Sequence, residues 1–495
     1  MSEKATSVTD IIGEWGFWQA NVFLFCLLNY VLQAFNSLSF YFFAPNINFW
    51  CADDPYSKIQ NYTTEQKCGK YSECREWEYE KKFHSTIIDE WDLVCDQSWL
   101  SSMTQSVFMF GYIPAGLILC LVADRIGRKP LIWFGFTLEL FSGLACIFSN
   151  SIWQFIVARF FMGIGISVRG NVLFALFFES CGKKYRGDAG LFLTGGWVFG
   201  IMILSGLAYI FPNFRWLGGL ALLILVILMF WSLSIDESVR WQITHKREKD
   251  AIKTLRKALK MNGKSDINEE SLRERVNELG EAFGEEAMKQ SLEPKYTILD
   301  LFKTPKIRSY TLIMFAAMPI NAFIYYGISF GIGDFGGDLY VTQILAGLAE
   351  IPGLIISLLV THHYGRRFFT SFNMVLCGLV CLIAIFTQFN PKITIFLTVL
   401  AKFFITNSYN VMIIQTSEIF PTVLRTAAGG SITVISRFGA MSSPFVTTMI
   451  RSQGLGPILA LFACLSICGG FLAYFLPETQ SKDLPDTIEE TEKLG

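Results

Sequence analysis

Charge is scarce in this chain. Asp, Glu, Lys and Arg make up 17% of the 495 residues, against 52% hydrophobic and 15% aromatic, whereas a soluble domain carries about 25% charged residues. Histidine is scarcer still, four in all. With no metal-ligand spacing and no nucleophile motif in a soluble context, an enzyme reading has no chemistry to rest on, and no cofactor or metal is called for. Nothing in the formal net charge of -1 suggests a nucleic-acid partner or a polybasic membrane-surface binder, and the basic residues are informative by position instead. A short cleavable leader is also missing: the first apolar run, 17–43, is too long for one and has no basic segment before it.

What is present is a series of apolar runs, each near the roughly 20 residues that cross a bilayer. Six of them cover 17–43, 100–122, 131–148, 152–178, 189–210 and 217–235, and six more cover 310–330, 340–360, 368–386, 393–416, 427–450 and 458–476. The spacing predicts an all-α membrane protein of twelve transmembrane helices in two pseudo-symmetric six-helix bundles. The expected division is an N-terminal bundle (1–235) with a loop at 44–99, a helical linker (236–307), a C-terminal bundle (308–478) and a tail (479–495). Within the linker, AIKTLRKALK (251–260) has amphipathic helical spacing.

Lys and Arg in short loops set orientation. Every second connection is basic: DRIGRK (124–129), GKKYRG (182–187), the linker, YGRR (364–367) and the turn at Arg425. Both termini and the linker are therefore expected on the cytoplasmic face of the plasma membrane, with the 44–99 loop outside. That loop carries Cys51, Cys68, Cys74 and Cys95, disulfide candidates whose three possible pairings the sequence leaves open. It also carries Asn61-Tyr62-Thr63, a glycosylation acceptor pattern at Asn61.

The two halves repeat each other at an offset of about 240 residues. Ala158-Arg159-Phe160-Phe161 corresponds to Ala401-Lys402-Phe403-Phe404; Glu179 and Arg186 to Glu418 and Arg425; IDESVRW to LPETQ; DRIGRK to HHYGRR. A duplicated six-helix unit suits a carrier whose central site is exposed to each side in turn. DRIGRK and Arg159-x-x-x-Gly163-x-Gly165 resemble signatures of the major facilitator superfamily. STIIDEWDLVCDQSW (85–99), DESVRW (236–241), EIFPTVLR (418–425) and LPETQSKDLPDT (476–487) resemble its organic cation, organic anion and carnitine transporter branch over essentially the whole chain. Cys120 departs from the usual Gly of the superfamily signature, and His362 from the usual Asp of its second copy.

Charges at membrane depth point to the cargo. A mid-membrane Arg costs ~2.5–3.5 kcal/mol, while each Ile, Phe or Val returns only ~0.3–0.6, and the run holding Arg437 is rich in Ser and Thr. That run must be shielded by other helices, with its guanidinium facing protein or water. Twelve residues past Arg425, Arg437 lies about 18 Å from the cytoplasmic end, near the midplane. Lys402 has similar depth, about 13 Å from the outer end. Glu350 and Glu139 are the acidic groups at comparable depth. A packing role would pair these charges, Glu350 with Arg437 for example; a functional role leaves surplus positive charge to bind an anionic group. Arg159 and Arg169 are coupling candidates, and Glu139 reads as structural.

The resemblance implies more. Arg437 matches an arginine of the anion and carnitine branches where cation carriers have Asp, but EIPG (350–353) matches the cation and carnitine pattern. Trp197, Tyr325, Tyr326 and Tyr409 match substrate-contacting aromatic positions, and Asn407, Asn410 and Gln415 add hydrogen-bonding capacity. The expected substrate set is therefore Arg437, Lys402, Glu350, Tyr325, Tyr326, Trp197, Tyr409 and Asn410, around a small organic anion or carnitine-like zwitterion. An organic cation is the alternative, and a coupling ion or exchanged solute is compatible. Asp124, Arg125, Arg128, Glu179, Arg186, Glu237, Arg240, Glu418, Arg425 and Glu478 form the expected gating network on the inner face. A receptor-like protein that keeps the fold without transport is a second class, and a channel lacks its pore-lining rings.

Overall fold

The structure, a computed structural model, describes residues 7–53, 67–69, 74, 76–80, 85–264, 267–292, 296–331, 337–363, 365–451, 454–480, 482 and 485–493. The N-terminal half forms α1 (Phe17–Phe43), α2 (98–126), α3 (Arg128–Ile147), α4 (Ile152–Ser180), α5 (Lys183–Ile210) and α6 (Phe214–Trp231). The C-terminal half forms α7 (Pro305–Gly331), α8 (Leu339–His363), α9 (Arg366–Thr387), α10 (Pro391–Ile419), α11 (Thr422–Arg451) and α12 (Leu455–Tyr474). Among the described residues, ten of these are long and apolar enough to cross a membrane unaided. The exceptions have physical reasons. Pro114 interrupts α2, and a π turn over Ala115–Leu119 follows it; α11 carries Arg425 and Arg437 among hydroxylated residues and Pro444. Each is shielded by protein, α2 by α4 and α11, α11 by α7 and α2.

Sequence-local chemistry starts the helices. The Ser151 hydroxyl caps α4 through the Gln154 N–H, and the Asn213 side chain accepts from Arg215 and Trp216 at the start of α6. Pro391 opens α10, a position where its missing N–H costs nothing. Gly127 and Gly365 precede α3 and α9 with φ of 106° and 79°, which residues with a Cβ rarely adopt. A Cβ at Gly111 would lie 2.5 Å from the Phe160 carbonyl oxygen, and one at Gly163 2.2 Å from that of Phe108. Those two glycines let α2 and α4 touch backbone to backbone.

The long loop after α1 contains a short antiparallel pair, β1 (Phe49–Cys51) with β2 (Trp77–Tyr79), and is stapled by Cys51–Cys74 and Cys68–Cys95. These bonds settle the pairing the sequence left open; Asn61 lies outside the described residues. At the opposite end, linker helices Glu248–Met261 and Glu269–Leu292 bury Leu255, Leu259, Leu272, Val276 and Leu279 with Ile11, Ile12 and Trp18. Trp18 donates its indole N–H to Asp236 (3.3 Å) and Lys257 pairs with Asp236 (2.8 Å), so linker and N-terminal segment form one small core under the N-terminal bundle. The tail helix Ile488–Lys493 docks under the other bundle, where the Glu492 carboxylate accepts from the N–H groups of Lys306 and Ile307 at 3.1 and 3.2 Å.

The bundles meet from the disulfide-loop end down to mid-depth. Ser102 bonds Pro444 O and Thr448, Ser106 bonds Met441 O, and Tyr41 bonds Leu339 O. Phe42 stacks on Tyr340, and Phe40 lies edge-on to Phe330. Toward the linker end, Cβ atoms placed on Gly116 of α2 or on Gly429 and Gly430 of α11 would meet nothing within 4 Å. The halves are in contact over the loop end, and these three glycines toward the linker end have open space beside them.

Candidate functional site

Arg437 projects from α11 at mid-depth, half-buried, between the bundles. Its guanidinium lies 4.7 Å from the Tyr112 ring centroid on α2 and donates a long bond, 3.5 Å, to the Tyr326 hydroxyl on α7. No carboxylate pairs with it among the described residues. The partner the sequence offered it, Glu350, is engaged elsewhere. Glu350 on α8 pairs with Lys402 on α10 at 3.1 Å, and the two are 3% and 1% exposed. The Lys402 ammonium also bonds the Ser329 hydroxyl and sits 3.6 Å from the Tyr325 ring centroid. Tyr325 donates to Glu350 at 3.0 Å and accepts the indole N–H of Trp197 at 2.9 Å. Lys402 and Glu350 thus neutralise each other, leaving Arg437 as the accessible surplus cation.

Aromatic faces connect these groups. Tyr325 stacks on Tyr409 (5.9 Å) and is edge-on to Tyr326 (5.2 Å), which stacks on Phe330 (5.8 Å). Asn410, adjacent to Tyr409, has a buried amide nitrogen without a partner, so it holds a spare donor. Seven expected substrate residues form one contiguous cluster, with Asn410 beside it. Two residues outside the expected set belong to it: Tyr112, whose signal is a polar-tipped aromatic two positions before Pro114, and Ser329, one turn beyond Tyr325.

Arg159 and Arg169 lie apart, inside the N-terminal bundle. Arg169 pairs with Glu139 (2.9 Å) over the Phe136 ring and bonds Asn29. Asn36 donates to Glu139 at 2.9 Å. Glu139 is a buried structural counter-ion here, not a cavity group.

The charge clusters at the linker end repeat in each bundle. Arg128 pairs with Glu179 (2.8 Å) and Asp124 (3.0 Å), while Glu237 accepts from the Arg128 and Lys129 N–H groups. In the second half Arg366 pairs with Glu418 (3.1 Å), and Glu478 accepts from the Arg366 and Arg367 N–H groups. Arg366 was not among the expected residues, although HHYGRR placed it opposite Arg128. These bonds stay within each bundle. Arg425 has Nε and Nη2 buried without partners, Arg240 lies over the Phe283 ring of the linker at 5.1 Å, and Arg125 is exposed. The Arg186, Cys120 and His362 side chains lie outside the described residues.

Comparison with known proteins agrees with this architecture. A family model described as "Sugar (and other) transporter" matches residues 21–490. Organic anion transporter 3 of Sus scrofa is 33% identical over 427 residues, covering 84% of this chain and 76% of the relative. An organic cation transporter protein of Drosophila melanogaster is 28% identical over 516 residues, covering 98% and 94%. Among solved structures, the inward open conformation of the xylose transporter XylE from E. coli shares 14% identity with a TM-score of 0.67, covering 96% of this chain and 99% of that one. That likeness concerns the fold.

Proposed function

The chain belongs to the sugar (and other) transporter family of the major facilitator superfamily, and on that premise we propose that it carries small organic anions or carnitine-like zwitterions across the plasma membrane by alternating access. One observation carries the reading: Arg437, half-buried between the bundles, has no carboxylate partner among the described residues, while Lys402 at similar depth is committed to Glu350. A guanidinium held by one long bond and a ring face retains donors for a substrate carboxylate, and charge-assisted bonds of that kind are the strong ones. Tyr112, Tyr326, Tyr325, Tyr409 and Trp197 supply flat apolar faces for an aryl or alkyl body.

A cationic cargo has a narrower basis. Glu350 lies under aromatic faces suited to a quaternary ammonium, and the Drosophila melanogaster relative is named for organic cations. Glu350 would first have to leave Lys402. A zwitterion uses both groups, its carboxylate on Arg437 and its cationic end toward Glu350. In this reading the linker and both termini are cytoplasmic, the disulfide loop is outside, and the linker-end clusters hold the inner face shut in the opposite conformation. Arg159 and Arg169 remain candidates for coupling.

The test is uptake of a labelled aryl carboxylate, a carnitine-like zwitterion and a quaternary ammonium in the same cells, wild type against Arg437→Ala, normalised to surface protein. Loss of anion and zwitterion uptake with cation uptake spared supports the assignment. Indifference of anion uptake to the substitution overturns it, and absence of any uptake in the wild type favours the receptor-like class.

A further inference from the structure

An arginine that is to receive a carboxylate has to be aimed without being neutralised. Arg437 has a long side chain with much rotamer freedom to lose, yet among the described residues its one hydrogen bond is the 3.5 Å contact to the Tyr326 hydroxyl. None of its nitrogens is sealed from solvent without a partner, so the donors that Tyr326 leaves over stay accessible. The remaining contact is the Tyr112 ring, 4.7 Å from the guanidinium and inside the ~6 Å reach of a cation–ring attraction. That attraction is to the ring quadrupole and takes up no anionic acceptor.

Tyr112 is itself held fast. It is 5% exposed, its hydroxyl shares a 3.0 Å hydrogen bond with the Ser37 hydroxyl on α1, and its ring is edge-on to Phe108 at 5.5 Å. The hydroxyl is thus engaged with the N-terminal bundle, and the ring face meets Arg437 of the other bundle. The contact also has a place in a series. From the loop end inward, the seam between α2 and α11 joins Ser102 to Pro444 and Thr448, Ser106 to Met441, and then Tyr112 to Arg437. Residue numbers rise on α2 as they fall on α11, so Tyr112 and Arg437 form the next rung of one antiparallel seam. We propose that Tyr112 is a positioning residue for the anion site: its ring face orients the Arg437 guanidinium so that the donors not used by Tyr326 meet a substrate carboxylate. This deepens the reading of Arg437 given above and rests on it. The ring does the orienting and the hydroxyl does not, and because the two partners belong to different bundles, carboxylate affinity is tied to the conformation in which this rung is formed.

The test measures KM and Vmax for uptake of a labelled aryl carboxylate by the full-length protein in cells, per surface copy, in the wild type, Tyr112→Leu, Tyr112→Phe, Phe108→Leu and Arg437→Ala. Tyr112→Leu is expected to raise KM roughly 3- to 10-fold, the size of a partly desolvated cation–ring contact, with Vmax held within about twofold. Tyr112→Phe keeps the face and restores KM. Phe108→Leu removes the ring that packs beside Tyr112 and is expected to lower the amount of surface protein without moving KM, which a merely structural role for Tyr112 would not distinguish. Where Tyr112→Leu does not reach the surface, Tyr112→Met, which fills more of the vacated space, is read in the same way. An unchanged KM in the variant lacking the ring, a Tyr112→Phe defect as large as that of Tyr112→Leu, or an equal rise in Phe108→Leu overturns the positioning role while loss of uptake in Arg437→Ala leaves the site reading standing. Anion uptake indifferent to Arg437→Ala overturns the site reading and this inference with it.

Discussion

Neutralising one member of the Lys402–Glu350 pair strands the other where water does not reach. At 3.1 Å, with an effective dielectric near 20, two unit charges attract by about 5 kcal/mol. That gross term offsets the desolvation of both groups, so the pair's net contribution is small, but breaking it costs ~3–5 kcal/mol. Lys402→Met and Glu350→Gln are each expected to lower stability by that amount. The double variant should lose far less than the sum, because neither charge is stranded and the Tyr325 hydroxyl can donate to the carboxamide oxygen that Glu350→Gln leaves in place of the carboxylate. Reversible unfolding in mixed micelles, run as a double-mutant cycle, measures the coupling. Transport read in parallel separates roles: anion uptake recovers in the double variant, while zwitterion uptake does not if Glu350 meets the cationic end of a substrate. Additive losses, with the double variant as unstable as the two singles summed, would refute the neutralised-pair account and return Lys402 to the free substrate-binding cations.

Three further outcomes follow from the geometry. Arg425→Ala should reduce transport while leaving surface expression substantial, since its Nε and Nη2 have no partners in this conformation; loss of surface protein would instead assign it a folding role. Gly439→Ala should lower surface expression, because its Cβ would lie 2.0 Å from the Pro319 carbonyl oxygen on α7, and overpacking there costs ~1–3 kcal/mol or more. The disulfides close segments with separations of 23 and 27 residues, each worth ~3–4 kcal/mol by loop entropy. Cys51→Ser should therefore cost as much as Cys51→Ser with Cys74→Ser, as read by melting temperature, and peptide mapping should recover Cys51 linked to Cys74.

The fold was legible because a bilayer leaves the backbone few options: it must satisfy its own hydrogen bonds, so length and hydropathy alone mark each spanning helix. The duplication was legible for a related reason. Glu237 and Glu478 each cap the helix that follows a positive-φ glycine, and Arg128 and Arg366 each reach the carboxylate at the end of the next helix, so the same local chemistry recurs at matched positions. Depth along a helix also follows from the sequence, since each residue adds 1.5 Å. What depth does not contain is the direction a side chain faces or which neighbouring helix stands there. Arg437, Lys402 and Glu350 read as near equals in depth, and pairing Glu350 with Arg437 was as consistent with that ruler as pairing it with Lys402. The choice is made by lateral packing: α8 lies against α10 inside one bundle, whereas α11 turns Arg437 toward α2 of the other, onto Tyr112. Tyr112 escaped notice for the same reason, because nothing in GYIPAG shows which helix it faces. On the proposed reading, selectivity depends on helix neighbours more than on the inventory of charges: the same three ionised groups, rotated by one helix face, would pair Glu350 with Arg437 and strand the lysine in place of a free guanidinium.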